Sequence, residues 1–323
     1  MEYRKLGNTG LKVSALCLGT MTMGWTSSKE DSFAVIDTFV EAGGNFIDTA
    51  DVYSFWAEGN PGGIADMWIG DWMRQYGIPR HQLVIATKVR GRMWDGPNGE
   101  GLSRAHIMKA VEDSLRRLST DYIDLYQTHW PDEATPLDET LRALDDLVRQ
   151  GKVRYLGASN HPAWLLTKAL WVGDRLGLAR YDCLQPHYNL VHRAEFEREL
   201  MALCQDQGLG VIPYSPLQGG FLTGKYRRGK PLPEKARGAT GDQLKGYMTD
   251  RNFALIDKMD EIGRAHHASV SQVAIAWLLT NPAVTSPIIG ANTVAQLTDT
   301  MGALSVKLSD EEFDILNQMS AWE

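Results

Sequence analysis

Cysteine is scarce in this chain: Cys17, Cys183 and Cys204 are the only three in 323 residues. An odd count at that spacing fits neither a disulfide framework nor a zinc motif. Reduced thiols in a cytoplasmic protein are the expectation. Positive charge is also short, with 33 Lys and Arg against 40 Asp and Glu and a formal charge of -7. General nucleic-acid binding and a polybasic membrane anchor both need the opposite balance. No run of about 18 apolar residues occurs, so no membrane-spanning helix is expected. The opening MEYRKLGNTG contains no apolar stretch of the signal-peptide kind. A G-x-G-x-x-G turn is missing after the first apolar run, where Gly19-Thr20-Met21-Thr22-Met23-Gly24 stands instead. That speaks against a Rossmann nucleotide fold.

What the chain does contain is an alternation. Eight short apolar runs recur: 15–19, 45–48, 83–88, 122–129, 155–159, 183–187, 210–214 and 286–290. Continuous apolar runs suit strands buried on both faces, as in a parallel sheet. Helical patterns separate them over 30–42, 103–118, 136–150, 162–176, 194–207, 250–267 and 271–280. Ser103 is a candidate N-cap, Pro162 stands just inside a helix start, and Gly43-Gly44 and Gly151 are stops. Such an alternation gives a closed barrel or an open doubly wound sheet. The stretch Tyr3–Val13 reads as a hairpin around Asn8-Thr9-Gly10, and in a barrel it would plug the bottom. Residues 215–249, rich in Gly, Pro, Lys and Arg, read as a long loop of functional kind. No domain linker interrupts the chain, so one domain over 1–323 is expected.

Chemistry-bearing residues stand at successive run ends. Asp48 closes the second run, with Tyr53 just beyond it; Lys88 closes the third and His129 the fourth. In a parallel barrel all strand C-terminal ends meet at one rim, where active sites sit. This favours the closed barrel, a (β/α)8 TIM barrel with an N-terminal β-hairpin plug. Taken singly, these are a turn residue, a packed ring, a solvated cation and a satisfied histidine; together they allow carbonyl reduction. Hydride addition leaves an alkoxide that needs a proton. A tyrosine near pKa ~10 is a poor donor unless a nearby ammonium stabilises its phenolate. Tyr53 is then the general acid, Lys88 its tuner, Asp48 the anchor of Lys88, and His129 the group that orients the carbonyl. Trp25, Trp56, Trp94 and Trp130 follow the first four run ends. Trp25, Trp94 and Trp130 are taken, with Tyr53 and His129, as the substrate pocket. No metal site is expected; the remaining histidines, including His266-His267, make no ligand set. A metal-dependent hydrolase would need more His, Asp and Glu at the strand ends.

NFIDTADVY, IATKV and YQTHW resemble signature segments of the aldo-keto reductase superfamily, as do YRKLGNTGLKVSALCLGT, GASN, LQPHYNL, PYSPLQGGFLTGKY and PIIGANT. The similarity runs from Tyr3 to about Leu316, and the branch looks like bacterial general reductases and potassium-channel β subunits. The resemblance implies a small carbonyl substrate and NADPH as cofactor, with NADH as the alternative. It assigns Ser159, Asn160 and Gln185 to the nicotinamide carboxamide and Tyr214 to stacking on the ring. Ser215, Pro216, Leu217, Gly219 and Lys225 fall to the pyrophosphate loop. Ile289, Gly290, Ala291, Asn292, Gln296 and Thr300 fall to the adenosine end, and Gly19, Thr20, Met21 and Asp48 complete the set. Asn292 stands where many relatives carry an arginine for the 2′-phosphate, which implies a weaker NADPH preference. Asp299-Thr300 replaces Glu-Asn, and Ala65-Asp66 replaces Ser-Glu. A cofactor-binding regulatory subunit is the rival reading. Oligomeric state is left open.

Overall fold

The computed structural model describes residues 1–232 and 242–322, so part of the long loop expected over 215–249 lies outside the described residues. Two short strands, β1 (Tyr3–Lys5) and β2 (Lys12–Ser14), pair antiparallel as the expected hairpin. The other strands are β3 (Cys17–Gly19), β4 (Phe46–Asp48), β5 (Val84–Val89), β6 (Ile123–Thr128), β7 (Val153–Ser159), β8 (Tyr181–Gln185), β9 (Gly210–Val211) and β10 (Ile288–Gly290). All eight pair parallel, in the order β10-β3-β4-β5-β6-β7-β8-β9. The two outer strands are joined beyond their formal ends. Thr285 N–H donates to the Val211 carbonyl at 2.8 Å, and Ile288 N–H to that of Pro213 at 2.9 Å. The sheet is therefore curled into the (β/α)8 barrel.

Alternation along each strand sorts the core into two parts. Cys17, Phe46, Val84, Ala86, Leu125, Cys183, Ile212 and Ile288 form an inner cluster with Leu6 and Val13 of the hairpin. The hairpin thus stoppers the N-terminal end of the barrel. The alternate positions, among them Leu18, Ile47, Ile85, Tyr126 and Leu184, pack outward against the helices. Two residues beyond the inner layer, the same parity brings up Asp48, Lys88, Gln127, Gln185 and Tyr214 as the next storey. This is how a barrel presents chemistry at its C-terminal mouth.

The helices lie between strands. They are α1 (Lys29–Glu41), α2 (Ile64–Tyr76), α3 (Arg104–Leu118), α4 (Leu137–Arg149), α5 (Ala163–Leu176), α6 (Met201–Gln207, preceded by a π-turn at Phe196–Leu200), α7 (Asp250–Ala265), α8 (Val270–Thr280), α9 (Val294–Met301) and α10 (Asp310–Met319). Ser28, Ser103 and Thr249 cap α1, α3 and α7, and Ser269 and Ser309 form capping boxes on α8 and α10. Helix α2 was not expected. It starts at Gly63 without a side-chain cap and carries Gly70 in its middle. Gly70 is there for contact, since a Cβ on it would lie 2.3 Å from the Arg117 carbonyl of α3. The segment after β9 holds short 3-10 turns at Gln218–Thr223 and Asp242–Tyr247.

Candidate active site

Asp48 ends β4, and its carboxylate lies over the inner layer. Lys88 Nζ reaches it at 2.6 Å and also donates to the Thr49 carbonyl at 2.9 Å. The other carboxylate oxygen accepts from the Gln127 amide at 3.0 Å and the Gln185 amide at 2.9 Å. Lys88 is fully buried and Asp48 is 1% exposed, so the pair is held out of water with its hydrogen-bonding capacity filled. Tyr53 stands on the loop after β4, fastened to the loop after β3 by hydrogen bonds from Ser54 to the Met23 carbonyl and from Asn60 to that of Gly24. Its hydroxyl accepts from Lys88 Nζ at 2.9 Å. His129 follows the last residue of β6, with its ring 6.0 Å from that of Tyr53. The four residues expected from the run ends therefore meet at one mouth.

Burial dominates the electrostatics. It pushes Tyr53 up to about 12, and the lowering by the Lys88 ammonium is smaller than this rise. The expected net downward tuning is thus not what the ground state shows, because Tyr53 is itself buried; its hydroxyl keeps its proton at neutral pH. Burial alone would push the Lys88 ammonium down, but the Asp48 charge and Tyr53 outweigh it and hold it above its ordinary value. Burial first, then the Lys88 and Arg90 charges, pushes His129 well down, so its ring is neutral. Its Nδ1 is buried without a hydrogen-bond partner.

The residues assigned to the cofactor lie on one flank of this cluster. Asn160, at φ +58°, donates to the His129 carbonyl at 2.9 Å and accepts from the Tyr214 hydroxyl at 2.9 Å. Ser159 Oγ donates to the Gln185 carbonyl at 2.9 Å. Tyr214 is half-buried, with His187 stacked on one face at 5.0 Å. Beyond it, Ser215, Gln218, Gly219 and Gly220 all take positive φ. A Cβ on Gly220 would lie 2.9 Å from Lys225 Nζ, so a cation stands over this turn, and Pro216 and Leu217 lie within it. A left-handed turn beneath an ammonium suits a phosphate group. The flat face of Tyr214, the amides of Asn160 and Gln185, and this turn fit a nicotinamide dinucleotide.

In the segment assigned to the adenosine, the Asn292 Oδ1 accepts from Thr26 Oγ1 at 3.1 Å, and its N–H donates to Gln296 Oε1 at 2.9 Å. Thr293 caps α9 there. Gly290 is exposed, Gly19 and Met21 are half-buried, and Thr20 donates its hydroxyl to the Asp48 carbonyl at 3.0 Å. The Ile289 side chain is buried in the outer core, and the Thr300 hydroxyl bonds back to its own helix. These two line no open surface.

The aromatics divide. Trp25 and Trp56 meet edge-to-face at 5.6 Å, Trp56 adjoins Tyr53 at 6.2 Å, and Trp130 stacks on His129 at 3.7 Å. All three tryptophans are exposed around the mouth. Trp94 packs instead on His106 at 4.8 Å, under Lys109, and is not brought to the cluster. Gln127 is not singled out by the sequence, and Asp66 stands there only as a departure from the family pattern, without a role. Gln127 falls out once strand parity is applied to YQTH. Asp66 is fully buried, and Oδ1 accepts from Thr49 Oγ1 at 2.9 Å and Thr87 Oγ1 at 3.3 Å, the neighbours of Asp48 and Lys88. Ser114 donates to its other oxygen at 3.0 Å, with Arg117 at 3.5 Å.

A parallel barrel with this buried Asp–Lys–Tyr cluster at its mouth defines a TIM-barrel oxidoreductase. The chain belongs to the aldo/keto reductase family, whose model matches residues 15–321. It is 38% identical to the uncharacterized oxidoreductase YrpG of Bacillus subtilis (strain 168), over 99% of this chain and 96% of that protein. It is 35% identical to versiconal hemiacetal acetate reductase of Aspergillus parasiticus, over 98% and 96%. It is 37% identical to a probable voltage-gated potassium channel subunit beta of Oryza sativa subsp. japonica, over 95% and 92%. No helix among the described residues is long and apolar enough to cross a membrane.

Proposed function

We propose that this protein reduces small aldehydes or ketones to alcohols, reversibly, with NADPH as the preferred cofactor, as a single catalytic domain over 1–323 in the cytoplasm. The observation that carries this is Lys88 Nζ, shared between Asp48 Oδ1 at 2.6 Å and Tyr53 OH at 2.9 Å in a buried strand-end site. When bound, the nicotinamide supplies the hydride that adds to the carbonyl carbon. The protein does the rest. Neutral His129 and the Tyr53 hydroxyl hold the carbonyl oxygen, and Tyr53 gives it a proton as negative charge develops. The Lys88 ammonium lies against the phenolate that forms, and Asp48, Gln127 and Gln185 keep the ammonium in place. Asn160 and Gln185 would hold the carboxamide, Tyr214 the ring, and Lys225 with the turn at Gly219-Gly220 the pyrophosphate. With Asn292 at the adenosine end, the margin for NADPH over NADH is expected to be small. Asn292 brings no charge to the 2′-phosphate, so this position does not supply the roughly 1.5–3 kcal/mol of a charged hydrogen bond.

The test is a panel of aldehydes, ketones, sugars and alcohols with each cofactor. Turnover of any carbonyl compound at a useful rate supports the reading. Tight cofactor binding without turnover would leave the regulatory reading, which the similarity to channel β subunits favours.

A further inference from the structure

Arg90 stands beside His129 without an established task. The register pairs Lys88 with Gln127 and Val89 with Thr128, and the His129 N–H donates to the Val89 carbonyl at 2.9 Å, so Arg90 and His129 stand just beyond the last pair. Strand parity puts Arg90 one storey above Lys88, as His129 is one storey above Gln127. Its backbone takes φ +133°, a region where glycine is at home and a long side chain is strained. The side chain is half-buried, and its Nε is buried without a hydrogen bond. Among the described residues no hydrogen bond or ion pair is made by its guanidinium. The Arg90 charge helps to hold the Asp132 carboxyl below its ordinary value, but that carboxylate is bonded to Leu102 N–H at 2.7 Å, Ala134 N–H at 3.0 Å and Thr135 Oγ1 at 2.7 Å and not to the guanidinium. A cation half-withdrawn from water, with a buried N–H left without a hydrogen bond and on a strained backbone, is kept at a cost, and such outliers gather at functional sites.

The strand order says which ligand it serves. Residues assigned to the cofactor, Asp48 apart, lie on or just after β7 to β10 and β3, whereas Arg90 follows β5, on the flank where Trp130 stacks on His129. Lys88 is already offset by Asp48, which leaves Arg90 able to meet an anion. We propose that Arg90 is a specificity residue that receives a carboxylate carried by the carbonyl substrate, whose apolar body lies against Trp25, Trp56 and Trp130. This rests on the reductase reading above. A guanidinium fits a carboxylate through paired N–H donors.

The experiment compares each carboxylate aldehyde with a neutral counterpart: 4-carboxybenzaldehyde with its methyl ester, and succinic semialdehyde with butanal, at saturating NADPH. Wild type is expected to favour the carboxylates by roughly tenfold or more in kcat/KM. Arg90→Met is expected to abolish that preference through KM, leaving the neutral aldehydes within about threefold. Arg90→Gly, which also relieves the backbone, gives the same pattern should the methionine variant fail to fold. No preference in wild type, or an equal loss on both classes, overturns the proposal. Binding is read separately, by tryptophan fluorescence with 4-(hydroxymethyl)benzoate and its amide in the presence of NADP⁺. Carboxylate-selective binding that disappears in Arg90→Met supports the role of Arg90 even if no aldehyde is reduced, an outcome that would sink the reductase reading alone. Equal binding of acid and amide overturns the Arg90 proposal.

Discussion

Lys88 makes three contacts, to Asp48, Thr49 and Tyr53, and has no exposed surface. Removing one member of such a buried pair strands the other. Lys88→Met should therefore cost about 3–5 kcal/mol of stability at neutral pH, read as a drop in urea midpoint, along with its loss of turnover. A midpoint within error of wild type would show that Asp48 finds other compensation. Tyr53→Phe removes only a hydroxyl. It should cut reduction by about 10²–10⁴-fold while leaving cofactor affinity intact; more than half the wild-type turnover in the purified variant would refute the assignment. Tyr53 also bears on alkaline stability. With a folded-state value of about 12 against an ordinary 10, its contribution is full below pH 10 and is lost as pH rises toward 12.

At the scale of elements, the strand ends were readable and the segment after β4 was not. Asp48, Lys88 and His129 close apolar runs, and a run end is visible in a sequence. Helix α2 lacks a side-chain N-cap, follows EGNPGG and carries Gly70, so its start and middle argue against it although Gly77 marks its end; contact with α3 decides in its favour. Asp66 was hidden for the same reason, because its partners Thr49, Thr87 and Ser114 belong to three other segments. Trp94 went astray because its loop turns back onto α3 rather than over the mouth. The Asp66 contacts make α2 a brace for the ends of β4 and β5. Asp66→Asn should lower kcat by roughly tenfold or more through a misplaced Lys88, with KM little changed, since displacement of about 1 Å can cost 10²-fold. A proportional rise in KM at constant kcat would show that the brace serves binding instead.

Over the whole molecule, acid sensitivity should come from buried histidines. Burial pushes down His129, His161 and His187, the last to about 4, with the His192 charge adding to the shift. The unfolded chain takes up these protons near pH 6.5 and the folded one resists them. Their contribution is thus present above that pH and is lost as pH falls toward 4. His187→Phe keeps a ring against Tyr214 and removes one titrating group. Urea midpoints at pH 7 and pH 4.5 should lie closer together in the variant than in wild type, by an amount of order 2 kcal/mol; an unchanged gap would place the acid sensitivity elsewhere.

The hairpin at the foot of the barrel bears on traffic as well as on packing. Leu6 and Val13 seal one end and the inner layer is apolar, so the ammonium of Lys88 has no path to water from below. The reaction chamber is a cup rather than a pipe. On the proposed reaction, product would leave by the opening through which substrate came, and the proton given up by Tyr53 would return through that same rim.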